Sequence, residues 1–124
     1  MKPVFVLLAL GLAACGSSDN SCQGGDCQCT DGEPCEHTCT GGETCSVQCP
    51  AGETCNVTCA DGETCNVQAQ TSSTTTVSCA TATVCAVQCP ATGCTVTDCG
   101  ATCSVMCGPS DATPTLSGTT ATCP

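Results

Sequence analysis

Residues 40–69 read TGGETCSVQC, PAGETCNVTC and ADGETCNVQA, which is one ten-residue unit written three times. Weaker copies of this unit extend the pattern from Cys29 to Cys107. Self-similarity at a short, fixed period is typical of stacked or solenoid proteins, in which each repeat supplies the same structural unit. The repeat is therefore a better guide to the fold than the propensities of individual residues.

Each unit contains an alternating segment and a turn. In residues 40–49, Cys45, Val47 and Cys49 alternate with Ser46 and Gln48. This alternation predicts a strand with one buried face, and the Gly and Pro of the next segment predict a turn. The outward positions are polar, and they form mixed columns when all units are aligned in one stack. The buried valine recurs at Val57, Val67, Val77, Val87, Val96 and Val105.

The composition calls for covalent cross-links. Among 124 residues there are 19 cysteines, while the only aromatic residue is Phe5 and the only basic residue is Lys2. A short chain with so little apolar side-chain area needs staples, and a cysteine content this high marks a disulfide scaffold. The formal charge is −10. Nucleic acid repels such a chain, so nucleic-acid binding is excluded.

A defect in the repeat indicates how the cysteines pair. The repeat lacks its cysteine at Ala69 and at Thr75, six residues apart across a turn. If each disulfide joins the last cysteine of one unit to the first of the next, both losses remove one bond. Pairing within a strand is rejected, because four strand residues span about 13 Å and a disulfide needs Cα atoms about 4.4–6.8 Å apart. The predicted pairs are Cys22–Cys27, Cys29–Cys35, Cys39–Cys45, Cys49–Cys55, Cys59–Cys65, Cys79–Cys85, Cys89–Cys94, Cys99–Cys103 and Cys107–Cys123.

Cross-turn bonds predict an all-β, disulfide-stapled β-solenoid with two repeats in each coil and about four coils. In a coil of twenty residues, consecutive strands lie in two facing sheets and each disulfide spans a corner. A coil of ten residues would place the paired cysteines at opposite ends of a flattened loop. The alternative fold is an antiparallel meander, which permits the bonds but leaves the Cys-Val-Cys face in water.

The first fifteen residues, MKPVFVLLALGLAAC, indicate export. Lys2 precedes an apolar run that is too short to span a membrane, as in secretory signal peptides. LAAC at 12–15 resembles the lipobox of bacterial lipoproteins, which implies cleavage before Cys15, a diacylglycerol on its sulfur and a third acyl chain on its amine. Several acyl chains give stable anchoring. By the same resemblance, Gly16 favours the outer membrane.

The sequence divides into four parts. We expect a lipoprotein signal peptide at 1–14, the lipidated cysteine with a flexible tether at 15–28, the β-repeat domain at 29–107 and an irregular Thr/Pro-rich cap at 108–124. Export to an oxidising part of the cell envelope agrees with disulfide formation. The chain resembles the repeat-bearing lipoproteins of myxobacteria-like bacteria in this combination of lipobox and cysteine-rich repeat.

The candidate metal ligands are four carboxylates that share one turn position, Glu33, Glu43, Glu53 and Glu63. They form one ladder, or two on alternating edges if a coil has twenty residues. Ca²⁺ prefers carboxylate and carbonyl oxygens, so the ladder suggests weak calcium binding. The competing interpretation is a solvated acidic edge that keeps the protein soluble. No other cofactor is expected.

The remaining chemistry is sparse. Reduced cysteines would bind soft metals, but the chain lacks CxxC pairs, and Cys27-Gln28-Cys29 is its only CxC. His37 stands at a valine position and is interpreted as a tolerated substitution. No nucleophile–base pattern is visible, so we expect no enzyme. The sequence predicts a structural or surface-interaction role, as scaffold or spacer, with a metal-binding lipoprotein as the alternative, and it identifies no protein partner.

Overall fold

The computed structural model describes residues 25–39, 44–59, 64–80, 82–100, 102–110 and 112–124. These residues form strands, turns and one short 3-10 helix, and they contain no α-helix. The predicted signal peptide, Cys15 and Cys22 lie outside the described residues, as do Glu43 and Glu63.

Each repeat unit forms one strand, as its alternation predicts. The 3-10 helix, Gly108–Ser110, follows the last strand of the repeat. The strands are β1 Gly25–Gln28, β2 Cys35–Cys39, β3 Cys45–Gln48, β4 Thr54–Cys59, β5 Thr64–Gln68, β6 Thr74–Ser78, β7 Val84–Cys89, β8 Cys94–Thr97, β9 Cys103–Cys107, β10 Thr115–Ser117 and β11 Thr120–Cys123.

The strands alternate between two sheets. Sheet A has the order β1-β3-β5-β7-β9, and sheet B has the order β10-β11-β8-β6-β4-β2. The repeat strands pair in parallel within each sheet, while β11 and β10 add to sheet B in antiparallel fashion. Because consecutive repeat strands fall in opposite sheets, each coil consists of two repeats. The predicted β-solenoid of about four coils is confirmed, and the meander is not formed.

The register advances by twenty residues per coil through the regular part of the repeat. Cys45 lies beside Cys65, and Cys65 lies beside Cys85. Side chains from one position of the repeat therefore stack along the solenoid axis. Residues of alternate strands, which a single alignment would place in one column, belong to different sheets.

The core forms where the Cys-Val-Cys faces of the two sheets meet. The inward-facing valines of β3 to β8 are at most 2% exposed, and the cysteines beside them are buried as well. Val105 of β9 is only half-buried, because β9 is the last strand of sheet A. Two layers of small side chains thus make the whole interior, and sulfur takes the place that aromatic rings hold in most cores.

The strands begin earlier than the sequence predicts. Gly25–Gln28 was expected to belong to the flexible tether, but it forms β1 and pairs with β3. Cys27 lies beside Val47 in this register and is buried. Cys27 and Cys29 occupy alternate positions of the buried face, and the glycines before them obscure this alternation in the sequence.

The C-terminal segment is more regular than the sequence predicts. Residues 108–124 were expected to be irregular, but β10 and β11 form a hairpin around Gly118, whose φ is +61°. Glycine adopts this left-handed backbone without a steric penalty, so it suits the first position of a tight hairpin turn. Ala121 and Cys123 alternate with exposed or half-buried neighbours and are buried against the solenoid. The hairpin extends sheet B by two strands.

Candidate functional site: cysteine columns and outward faces

The disulfides stack in two columns along the edges of the solenoid. Those among the described residues are the same as eight of the nine pairs that the repeat predicts, with Cα atoms 5.2–6.1 Å apart. Cys27 is disulfide-bonded as well, and its predicted partner Cys22 lies outside the described residues. Where the chain passes from sheet A to sheet B, the A-to-B edge, it is stapled by Cys29–Cys35, Cys49–Cys55 and Cys89–Cys94. The opposite, B-to-A edge is stapled by Cys39–Cys45, Cys59–Cys65, Cys79–Cys85 and Cys99–Cys103.

Two pairs of neighbouring disulfides on the B-to-A edge touch each other. Cys39 Sγ lies 3.9 Å from Cys65 Sγ, and Cys79 Sγ lies 3.8 Å from Cys103 Sγ. These separations are van der Waals contacts between sulfur atoms of neighbouring coils. The disulfides therefore pack as side chains as well as cross-linking the chain.

One turn of the A-to-B edge has no disulfide and is held by hydrogen bonds. Ser72 lies inside this turn and is only 4% exposed. Its hydroxyl donates to the carbonyl oxygen of Ala69 at 2.9 Å and lies 2.6 Å from Thr75 Oγ1, which is itself buried. Ala69 and Thr75, which replace the two cysteines, are therefore buried. The hydroxyl groups of Thr75 and Ser72 in this turn both have hydrogen-bond partners.

His37 occupies the valine column of sheet B and is buried, with 3% of its surface exposed. Its Nδ1 lies 3.8 Å from Cys27 Sγ, and its Nε2 lies 3.7 Å from Cys45 Sγ. The sequence interpretation of a tolerated substitution agrees with a place where Val57 stands in the next strand. The sulfur neighbours could not be foreseen, because they depend on which strands face each other.

Three groups of side chains have ligand atoms within 4.8 Å of one another. They are His37, Cys39 and Cys45; Cys79, Cys85 and Cys103; and Cys89, Cys94 and Cys123. Every cysteine in these groups is disulfide-bonded. Metal binding by cysteine requires the thiolate, so these groups become ligand sets only after reduction.

The described part of the glutamate ladder lies on the A-to-B edge. Glu33 and Glu53 occupy matching turns on the A-to-B edge, whereas Glu43 and Glu63 lie outside the described residues. In the next turn of the A-to-B edge, Ser73 takes the position that Glu53 has one coil earlier. The Ser73 N–H donates to the Glu53 carbonyl oxygen at 3.0 Å. This edge therefore brings together two of the four predicted ligands, and the carboxylate column ends at Ser73.

The two outward faces differ in chemistry. On sheet A, Gln28, Gln48, Gln68 and Gln88 lie side by side in successive strands. On sheet B, Thr76 lies between Asn56 and Thr95, and the column continues through Thr122 to Thr115. The mixed outward columns expected from the sequence are wrong for the glutamines, because that alignment combined strands of opposite sheets and the fold gathers the glutamines in one column of sheet A. The neighbouring column of sheet A stays mixed, with Ser46, Asn66 and Ala86 side by side.

Comparison with known protein families, curated proteins and solved structures finds no match for this chain. Within the part of the chain that the structure describes, no helix is long and apolar enough to cross a membrane. The functional interpretation therefore depends on the geometry of the described residues and on the motifs of the sequence.

Proposed function

We propose that this chain is a lipid-anchored protein of the cell envelope that acts as a rigid scaffold or spacer and interacts through its outward faces. The observation that carries the proposal is the constant register of the two sheets, which aligns equivalent outward positions of successive coils on each face. A surface of regularly spaced polar side chains is suited to contacts with an extended partner. The lipobox-like motif that ends at Cys15 supports the lipid anchor, and Gly16 after it favours the outer membrane.

The dimensions of the solenoid fit a spacer. Six strands spaced by about 4.8 Å give a rod about 25 Å long, and the chain enters this rod at β1. Residues 16–24 would connect the rod to an anchor on Cys15. The distal end, which carries β9 and the β10–β11 hairpin, would then be held away from the bilayer.

We propose a role without catalysis. His37 is the only histidine of the chain, and it lies in the core between disulfide sulfurs. The outward columns of the described strands consist mainly of Thr, Ser, Asn and Gln. These side chains hydrogen-bond, but they need an adjacent base to act as nucleophiles.

Lipid labelling tests the anchor. Cells that express the full chain are fed an alkyne analogue of palmitate, and the purified protein is examined for label and for its position between inner and outer membranes. We expect label on the wild type, none on Cys15→Ser, and enrichment in the outer membrane. An unlabelled wild-type protein would end the anchor proposal.

A matched pair of variants tests the face. Thr76 and Gln68 lie in central strands of opposite sheets, and both side chains are exposed. If the threonine face mediates envelope binding, Thr76→Lys weakens binding of the Cys15→Ser protein to isolated envelopes, and Gln68→Lys does not. Equal effects of the two variants would argue against a face-specific contact.

A metal-binding lipoprotein is the second candidate, and the adjacency of Glu33 and Glu53 on one edge favours it for calcium. Calorimetric titration with Ca²⁺ tests it on the folded, oxidised protein. Binding that is lost when Glu33, Glu43, Glu53 and Glu63 are all changed to Gln supports the ladder. Equal titration curves for wild type and variant would exclude it.

A further inference from the structure

The distal end of the solenoid is stepped. Sheet A ends at β9, whereas sheet B continues past β8 with β11 and then β10. β11 lies across the core from β9, and the two strands contact each other. No described strand of sheet A faces β10, so β10 overhangs by one strand, or about 4.8 Å.

The core is uncovered at this step. In sheet B, the inward column runs from Val96 to Ala121 and then to Leu116. Val96 and Ala121 are 0% exposed, but Leu116 is 68% exposed. In sheet A, Val105 is half-buried although Val87 beside it is fully buried. The last apolar side chain of each column lacks the cover that the earlier ones have.

Backbone groups are also open at this step. Among the described residues, the outer edge of β9 is hydrogen-bonded at its two ends, where Cys103 N–H donates to the Gly100 carbonyl oxygen at 3.1 Å and Cys107 N–H donates to the Ala112 carbonyl oxygen at 3.3 Å. In a parallel ladder, alternate residues direct their peptide groups to the same side. Val105 therefore directs its N–H and C=O to the open edge. β10 is likewise the last strand of sheet B.

We propose that this end binds a second copy of the chain, tip to tip, about a two-fold axis that runs along the strands. Such an axis exchanges the two sheets, so the overhanging β10 of each copy enters the missing position beside β9 of the other. The paired strands would run antiparallel, because β10 has the direction of β8. Leu116 of each copy would cover Val105 of the other. The step is thus self-complementary, as a two-fold interface requires.

The charge distribution favours the distal end over the proximal end. Only Asp98 and Asp111 follow Glu63 in the sequence, whereas the other nine acidic residues come at or before it. Two distal ends can approach with little repulsion, but two proximal ends cannot.

The contact is small: with sheets about 10 Å apart and strands about 17 Å long, each copy buries a few hundred Å², against roughly 800 Å² in a standard interface. We therefore expect a weak dimer that forms with rising concentration.

Sedimentation of the oxidised Cys15→Ser protein over a range of concentrations tests this contact, and the test does not depend on the proposed lipid anchor. We expect a reversible monomer–dimer equilibrium. Leu116→Glu should raise the dissociation constant at least about tenfold, because the interface would bury a carboxylate. The variant should fold normally, since Leu116 is largely exposed in the single chain, and circular dichroism checks this.

Val84→Glu is the matched control. Val84 is the other large apolar side chain that is exposed among the described residues, at 40%, and it lies on the outward face of β7, one strand before β9 and away from the uncovered core. We expect its dimerisation to equal that of the wild type. A protein that stays monomeric at every concentration contradicts the proposal. A dimer that Leu116→Glu does not weaken, or that Val84→Glu weakens equally, places the contact elsewhere and also contradicts it.

Discussion

Two neighbouring turns on the A-to-B edge are held closed by different interactions. The turn from Cys49 to Cys55 is closed by a disulfide, and its Gly52 is exposed with a φ of +74°. In the turn one coil above it, Ser72 takes the position of Gly52 and points inward. The two turns are hydrogen-bonded to each other, from Gly52 N–H to the Thr71 carbonyl oxygen at 2.8 Å. The two turns therefore stack in register, although one is closed by a disulfide and the other by hydrogen bonds.

The comparison shows what a stapled core requires when a staple is lost. Replacing one cysteine alone would leave its partner as a buried free thiol. Replacing both leaves space, and here Ala69, Thr75 and the inward Ser72 fill it. Buried hydroxyl groups are costly unless they are hydrogen-bonded, and the bonds to Ala69 and between the two hydroxyls meet this condition.

The largest expected effect comes from opening every staple at once. Nine loops closed by disulfides contribute up to about 20 kcal/mol in the chain-entropy model, against a typical stability of about 5–15 kcal/mol. We predict that full reduction unfolds the protein, measured by loss of the β-sheet circular dichroism signal. Thiol titration before reduction should find no free thiol in the Cys15→Ser protein. A β-sheet signal that survives complete reduction would show that hydrogen bonds and packing hold every turn without disulfides.

The next effect comes from turning the Cys49–Cys55 turn into a copy of its neighbour. Cys49→Ala with Cys55→Thr removes one staple, and we expect the free energy of unfolding to fall by about 2–4 kcal/mol. Adding Gly52→Ser should restore about 1 kcal/mol only if the turn also adopts the backbone of the Ser72 turn, because a serine at the φ of +74° that Gly52 has is strained. Denaturant unfolding measures both changes. An unchanged midpoint for the double variant would show that this staple is redundant.

The reverse exchange gives a gain. Ala69→Cys with Thr75→Cys restores the pair that the repeat lacks, and closure of a seven-residue loop should add about 2.4 kcal/mol. Mass spectrometry establishes whether the bond forms, and thermal unfolding measures the gain. Failure of the two cysteines to pair would show that the inward Ser72 has changed the turn too much for a disulfide.

The smallest effect tests the hydrogen bonds themselves. Ser72→Ala leaves the buried Thr75 hydroxyl without this partner, and we expect a loss of about 1–2 kcal/mol in denaturant unfolding. Ser73→Ala is the control, because Ser73 is exposed and should change stability by less than about 0.5 kcal/mol. Equal losses in the two variants would mean that the buried Ser72 hydroxyl contributes no more to stability than the exposed Ser73 hydroxyl.

The regular part of this fold could be predicted because every level of the sequence agrees. The period gives the repeat, the alternation gives the strands, and the joint loss at Ala69 and Thr75 gives the pairing. Among solenoids, the pairing then requires two repeats in each coil, since a coil of ten residues would hold the bonded cysteines apart. The antiparallel meander, which also permits the bonds, is disfavoured because it leaves the Cys-Val-Cys face in water. No step of this argument needs a family relationship.

The ends and the surfaces could not be predicted in the same way. The alternation of β1 is hidden by Gly25, and that of the β10–β11 hairpin is hidden by the composition of the tail. The separation of glutamine from threonine depends on assigning alternate units to opposite sheets. The exposure of Leu116 depends on the number of strands in each sheet, which no local pattern encodes.

The spacing of the staples also determines how the rod would respond to tension. A disulfide across a turn removes that turn from the length that can be pulled out, so most of the chain can extend only through its short strands. The exception is the run of 13 residues, 66 to 78, between the Cys59–Cys65 and Cys79–Cys85 bonds. Under force this run would lengthen to about 45–50 Å before the next staple took the load. Among the described residues, the segment around the turn without a disulfide can therefore lengthen the most without breaking a covalent bond.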